Sequence, residues 1–165
     1  MASSKVFIES QTEMESFLSE EHLGFLGLST HGIPYVVPVT FGYSPGRILF
    51  HGALEGKKLD LIRANPNVCF TVARQFGRIV AHPQGASCHA DSDSVVCYGI
   101  ARIVIDADER RQVLNVLNHC LQPDAKELTI DDAASCNAVE IRITEMTGRQ
   151  ERDNKCTYWR VTFRK

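Results

Sequence analysis

Lys57 and Lys58 follow the run His51-Gly52-Ala53-Leu54-Glu55-Gly56, and the order of these residue types is the first chemistry in the chain. A lysine ammonium on a flexible stem is a point charge suited to phosphate. A helix beginning at the same place adds unpaired backbone N–H groups and a partial positive charge. Leu59 and Ile62 give the next residues one apolar face, and Asn65-Pro66 ends the helix because the residue before proline avoids the α region. Gly52 and Gly56 let backbone approach an anion without Cβ interference, and Arg63 lies on the same helix. The same residues also describe a solvated basic turn, and spacing alone leaves both readings standing. A micromolar complex needs about −8 kcal/mol, whereas a hydrogen bond to a charged group contributes about 1.5–3 kcal/mol, so a phosphate alone falls short. A flat, largely apolar body against a sheet must supply the remainder.

Other side chains offer chemistry with less support from spacing. His51 carries an imidazole, a side chain suited to proton delivery, or it caps a strand. His82, Cys88, His89 and Asp91 are ligand types for zinc or haem, but their spacing fits no standard site and they read as a polar loop. Tyr158, Trp159 and Phe163 either stack on a bound ring or pack as core or dimer contacts. The segment Asp108-Glu109-Arg110-Arg111-Gln112 reads as a solvated helix face without chemistry.

The elements that must position these groups are legible from periodicity. Ser10 and Glu13 have capping-box spacing, and Met14, Phe17 and Leu18 follow as one helical face. From Leu23 three β-rich runs are separated by His31-Gly32 and Ser44-Pro45-Gly46, which predicts a three-stranded meander. Pro34 and Pro38 cannot donate to a ladder, so that strand belongs at an edge or bulge. A fourth strand is predicted from Asn67, a long loop over 74–93, and a fifth strand from Ser94 with Gly99 at a bulge or bend. Asp106 and Glu109 repeat the cap spacing ahead of a helix carrying Val113, Leu117, Cys120 and Leu121. Val139, Ile141 and Ile143 alternate with polar residues in another strand, and 157–163 adds a last one. This order predicts a mainly β antiparallel barrel with flanking helices, in a single domain over 1–165.

Eighteen basic against twenty acidic residues give a net charge of −2, which excludes a general nucleic-acid surface and makes any anion site local. No run approaches the roughly 20 apolar residues that cross a bilayer, and the first residues have no apolar signal region, so the expected location is cytoplasmic. In that compartment the six cysteines are expected to be reduced thiols.

Three stretches, GFLGLSTHGIPYVVPVTFGY, GRILFHGALEGKKLDLIRANPNVCFTV and SVVCYGIARIV, resemble in this order the flavin-binding split-barrel proteins related to pyridoxamine 5'-phosphate oxidase. Their branch resembles the nitroimidazole-resistance (5-nitroimidazole reductase-like) group. The resemblance implies a six-stranded Greek-key split β-barrel, a homodimer, and FMN, with FAD as the alternative, in a cleft at the subunit interface. It implies that His51, Gly52 and Ala53 line the ribityl and phosphate side, and that Lys57 and Lys58 hold the phosphate. Pro38, Val39 and Thr40 match the strand whose backbone edge faces the isoalloxazine, and Ser94 and Val95 match a segment that closes the site. His51 is the implied catalytic residue. The implied function is an FMN-dependent oxidoreductase that passes electrons from NAD(P)H to a small, possibly nitroaromatic compound. The alternative is a non-catalytic flavin carrier, store or redox sensor. A split barrel holding haem or a deazaflavin is a third reading. The chain lacks the arginine-rich substrate motifs of the oxidase proper and carries a lysine pair where that enzyme has Arg-Lys, which argues against vitamin B6 oxidation.

Overall fold

The computed structural model describes residues 7–8, 10–80, 90–152 and 155–163. In chain order the elements are β1 (Phe7–Ile8), α1 (Gln11–Glu20), β2 (Leu23–Thr30), β3 (Ile33–Thr40), β4 (Gly42–Ser44), β5 (Arg47–Gly52), α2 (Lys57–Ala64), β6 (Asn67–Gln75), β7 (Ser92–Val104), α3 (Ala107–Leu121), α4 (Ile130–Ala133), β8 (Asn137–Arg152) and β9 (Lys155–Thr162). Helix α1 buries Met14, Phe17 and Leu18, as its periodicity predicts, but the Ser10 side chain makes no cap bond. Instead the Tyr43 hydroxyl donates to Glu15 at 2.6 Å and ties the helix to β4. Burial and that carboxylate push the Tyr43 pKa above its ordinary value. Helix α3 is capped as its spacing predicts, with Asp106 accepting from the Glu109 N–H at 2.9 Å.

The strands form one sheet ordered β1-β9-β8-β7-β6-β2-β3, antiparallel except for the β1–β9 pair, with β5 and β4 joined through β8. Strand β8 is the pivot. It carries β7 along one edge, while its other edge pairs first with β5 (47–52 against 137–142) and then with β9 (155–162 against 145–152). Nine strands are present among the described residues, in one sheet: β2, β3, β5, β6, β7 and β8, with β1, β4 and β9 in addition.

The predicted three-run meander is present, with its second run divided into two strands: β3 pairs with β2, and its continuation β4 pairs with β5. Strand β3 pairs with β2 from Leu23↔Thr40 to Thr30↔Ile33, across a turn in which His31 and Gly32 have φ of 49° and 78°. The Phe41 N–H still donates towards β2, to the His22 carbonyl at 3.0 Å. At Gly42 the chain turns its other edge to β5, where Gly42 pairs with Leu49. One continuous stretch therefore bonds to β2 with one edge and to β5 with the other. The part facing neither, the outer edge of β3, is the split in the barrel. Hydrophobic alternation encodes which faces are buried and is silent on which edges meet.

The main core holds Leu26, Phe41, Ile48, Phe50, Phe70, Val72, Cys97, Ile141 and Met146, and a second cluster under α3 holds Leu49, Val104, Leu114 and Leu117. Strand β5 feeds both, with Ile48 and Phe50 on one face and Leu49 on the other. That two-sided burial, at about 1.5–3 kcal/mol per fully buried large side chain, fixes the strand that leads into the lysine pair. The predicted bulge is present: the β7–β8 register shifts between Tyr98 and Gly99, and a Cβ on Gly99 would lie 2.5 Å from the Arg142 carbonyl oxygen. Cys69, Cys97, Cys120, Cys136 and Cys156 are free thiols, and burial pushes that of Cys97 up to about 12.

Candidate functional site

Prolines define the open edge of β3. Alternation along a strand sends successive N–H and C=O pairs to opposite edges. With the Phe41 N–H aimed at β2, the nitrogens of Pro34 and Pro38 face the split, where no ladder bond is lost. Val36 and Thr40 then present their N–H and C=O groups at the same edge, which gives the split backbone donors and acceptors. The Val39 side chain is buried in the core, while those of Pro38 and Thr40 are exposed.

Across the split, β5 ends in exposed His51 and half-buried Gly52 before the chain turns into α2. Gly56 precedes the helix at φ 136°, a conformation that L side chains rarely adopt, so glycine is required there. The Gly56 carbonyl accepts from the N–H groups of Leu59 and Asp60, which leaves the first N–H groups of α2 aimed outward beside the lysines. Lys57 Nζ lies 4.6 Å from the centre of the Tyr35 ring on β3, and Lys58 Nζ lies 5.1 Å from that of Phe50 on β5. A Cβ on Gly52 would lie 3.2 Å from Lys58 Nζ, so the glycine leaves room for the folded-in ammonium.

Neither lysine has a carboxylate partner among the described residues, whereas Arg63 on the same helix is paired with Asp60 at 2.9 Å. Burial lowers the pKa of half-buried Lys58. An ammonium held partly out of water with no counter-ion is an arrangement an incoming anion would stabilise. The split thus combines two cations, a helix start and a free backbone edge: His51, Gly52 and Ala53 lead from β5 to Lys57 and Lys58, and Lys57 reaches Tyr35 on β3, the strand that carries Pro38, Val39 and Thr40.

Ser94 and Val95 are not part of this group. His51 pairs with Ala138 on β8 while Ser94 pairs with Arg149, eleven residues further along and about 36 Å of strand at about 3.3 Å per residue. Val95 is buried in the core. Ser94 lines a groove of about 570 Å³ on the outer face of β7, β8 and β9 with Tyr98, Arg149, Tyr158 and Arg160. The arginines were missed at the sequence level, although their alternation with small residues in Thr147-Gly148-Arg149 marks one outward face. Arg149 donates to Glu151 at 2.5 Å, and Arg160 to Glu145 at 3.1 Å. Trp159 packs against the core, covering Gly148, rather than standing in the groove.

Tyr98 also borders a second groove of about 370 Å³ over Gly27, Val36 and Cys69. Around it Phe25, Ile33, Val36 and Tyr98 are between 45% and 68% exposed, an apolar strip on the outside of the sheet. His82, Cys88 and His89 lie outside the described residues. Among the described residues no cluster of His, Cys, Asp and Glu could hold a metal ion, and no helix is long and apolar enough to cross a membrane.

A family model described as pyridoxamine 5'-phosphate oxidase matches residues 10–150. The fold is similar to that of a candidate 5-nitroimidazole antibiotic resistance protein from Bacteroides thetaiotaomicron, at 27% identity and a TM-score of 0.72 over 87% of this chain and 85% of that one. It is also similar to an FAD- and heme-binding protein of Mycobacterium smegmatis, at 17% identity and a TM-score of 0.76 over 93% of this chain and 83% of that one. An uncharacterized protein of Rhizobium meliloti is 30% identical over 95 residues, covering 51% of this chain and 62% of that relative, under two thirds of its length.

Proposed function

This chain belongs to the pyridoxamine 5'-phosphate oxidase family, and on that premise we propose that it is a flavin-dependent oxidoreductase. In this reading Lys57 and Lys58 would hold the phosphate of FMN, NAD(P)H would be the electron donor, and the acceptor would be a small compound, with nitroaromatics the class to test first. The observation that carries the reading is the lysine pair, two cations without carboxylate partners at a helix start beside the free edge of β3. Similarity to the Bacteroides protein supports the nitro-compound acceptor. FAD is named for the M. smegmatis protein and for an FAD-binding protein of Mesorhizobium loti that matches at 23% identity and a TM-score of 0.66, over 87% of this chain and 96% of that one.

Bound flavin would supply the two-electron chemistry, and the chain supplies the rest. Lys58, desolvated against Phe50 and Gly52, holds the phosphate as the charged hydrogen-bond donor. Lys57 adds a more exposed charge, and the outward N–H groups of α2 take remaining oxygens. Thr40 and Val36 offer backbone groups to the polar edge of the ring. His51, exposed at the rim, holds the proton delivered to the reduced acceptor.

A second copy seated on the strip of Phe25, Val36 and Tyr98 would cover that apolar surface. It would also bring the Ser94–Arg149–Tyr158 groove of one subunit to the lysine edge of the other, and so unite the two groups that one chain keeps apart. The test is the visible spectrum of the purified protein after FMN addition and desalting, followed by anaerobic addition of NADH or NADPH and then a nitroaromatic acceptor. Retained flavin bands that bleach and recover support the enzyme. Retained flavin that neither nicotinamide bleaches refutes the reductase and leaves a carrier, and no retained flavin refutes the whole reading. His51→Ala is expected to keep the flavin and lose turnover at least about a hundredfold, the lower end of what general acid–base catalysis contributes.

A further inference from the structure

We propose that the cleft between α2, the end of β7, α3 and the start of β8 is a second small-molecule site, one that takes a small organic carboxylate with an apolar body. The cleft has a volume of about 340 Å³ and is lined by Ile62, Ile103 and Ile105 together with Arg63, Arg110 and Asn137. That size and mixture, apolar walls with a few converging polar groups, fall in the range of ligand pockets, about 300–1,000 Å³. It faces β7 and α3, whereas the two lysines reach across to rings on β3 and β5.

The charge balance identifies the ligand. Three arginines border the cleft. Arg63 is paired with Asp60 at 2.9 Å, and Arg102 with Glu109 at 2.6 Å and Glu140 at 3.2 Å. Glu140 is further engaged by Arg47 at 3.0 Å, and Asp106 accepts from the Glu109 N–H. Arg110 is the exception: it lines the cleft, and its guanidinium has no carboxylate within ion-pair distance among the described residues. A guanidinium that lines a cleft without a carboxylate partner leaves its donors to an acceptor that arrives from outside. A guanidinium with no ion-pair partner matches an anion, and a carboxylate fits its planar fork, whereas a phosphate dianion would bring a surplus charge into a mostly apolar cleft. Asn137 adds polarity of the opposite kind. Its amide nitrogen donates to the carbonyls of Ala53 at 3.1 Å and Leu54 at 2.8 Å, which leaves its oxygen to accept from a hydroxyl or amino group on the ligand. The α3 start that sequence alone reads as a solvated face thus carries a binding residue.

The three isoleucines make the test direct. In the purified, flavin-free protein, with the isoleucine δ-methyls labelled, benzoate, 4-hydroxybenzoate and hexanoate at millimolar concentration should shift the Ile62, Ile103 and Ile105 signals and leave the core residue Ile48 unmoved. Benzamide, the neutral isostere, and the variant Arg110→Met should each bind at least about tenfold more weakly, the loss expected for one charged hydrogen bond. The variant keeps the apolar stem and removes the unpaired donor, so its thermal midpoint without ligand should be equal to or above that of the native chain. The proposal is overturned if none of the three carboxylates moves those methyls, if benzamide binds as well as benzoate, or if Arg110→Met binds benzoate undiminished. The cleft shares α2 with the lysine pair, and Asn137 bonds the Ala53 and Leu54 carbonyls, so the shifts are measured on the flavin-free protein, where they are read without reference to flavin binding.

Discussion

Replacing Lys58 with alanine isolates the anchor on which the functional reading rests. The ammonium is half-buried, has no carboxylate partner, and sits where a Cβ on Gly52 would be 3.2 Å away, so a phosphate reaching it forms a charge-assisted bond in partial desolvation. Such a bond is worth about 1.5–3 kcal/mol. At about 1.4 kcal/mol per tenfold, FMN affinity should fall by about ten- to a hundredfold in Lys58→Ala. Lys57 is exposed, so Lys57→Ala should cost no more than about fivefold, the range of a surface ion pair. Riboflavin lacks the phosphate, and its affinity should stay within about twofold in both variants, a change smaller than one surface ion pair.

Titration of intrinsic flavin fluorescence with FMN and riboflavin side by side, at low and at physiological salt, measures all four quantities. Equal losses for riboflavin would mean that the variant damages the pocket as a whole, and an unchanged FMN affinity would mean that the phosphate sits elsewhere; either refutes the anchor. The pH dependence carries the same logic. Burial holds the folded pKa of Lys58 below its ordinary 10.5, so between the two values the unfolded chain binds more protons and stability without ligand rises with pH. FMN affinity runs the other way and falls as pH rises through the depressed pKa. Lys58→Met should abolish both trends.

Val36→Glu places a charge in the middle of the outer apolar strip, and light scattering is expected to show a monomer that no longer retains flavin; a flavin-bound dimer would sink the proposed interface. Gly99→Ala drives a Cβ to 2.5 Å from the Arg142 carbonyl oxygen, which is backbone and cannot swing away. A loss of about 2–3 kcal/mol is expected in urea unfolding, since overpacking a tight site costs about 1–3 kcal/mol and the bulge must also shift. Iodoacetamide at mildly alkaline pH should label exposed Cys156 promptly and spare Cys97 until the chain unfolds, because burial both shields that thiol and raises its pKa to about 12. Peptide mass spectrometry reads both sites.

Local features of the chain were legible where the physics is local. Helix α3 starts where Asp106 and Glu109 say it should, α2 ends at Asn65-Pro66, and Gly99 marks a real bulge. The lysine pair opens a helix, as the run of small residues before it implies. Elements without a strong local signal were missed: β1 has two residues, and α4 has four, although Thr129 and Asp132 form a capping box around it. The Ser10 cap failed for a different reason, because tertiary contact through Glu15 and Tyr43 anchors α1 in place of its own first turn.

Pairing between distant strands was beyond reach, since side-chain alternation reports faces and carries no label for edges. For that reason the division of the second run into β3 and β4 could not be read, nor that within one chain Ser94 lies about 36 Å of strand from His51, at about 3.3 Å per residue along eleven positions of β8. The lack of an ion-pair partner for Arg110 among the described residues was equally invisible, because a guanidinium is unpaired only by comparison with the carboxylates that folding brings near it. By itself the sequence determined the elements, the barrel class and the cationic helix start, all encoded in residues a few positions apart. The tertiary structure alone decided where the barrel splits and which charges lack partners, because both depend on contacts between residues far apart in the chain.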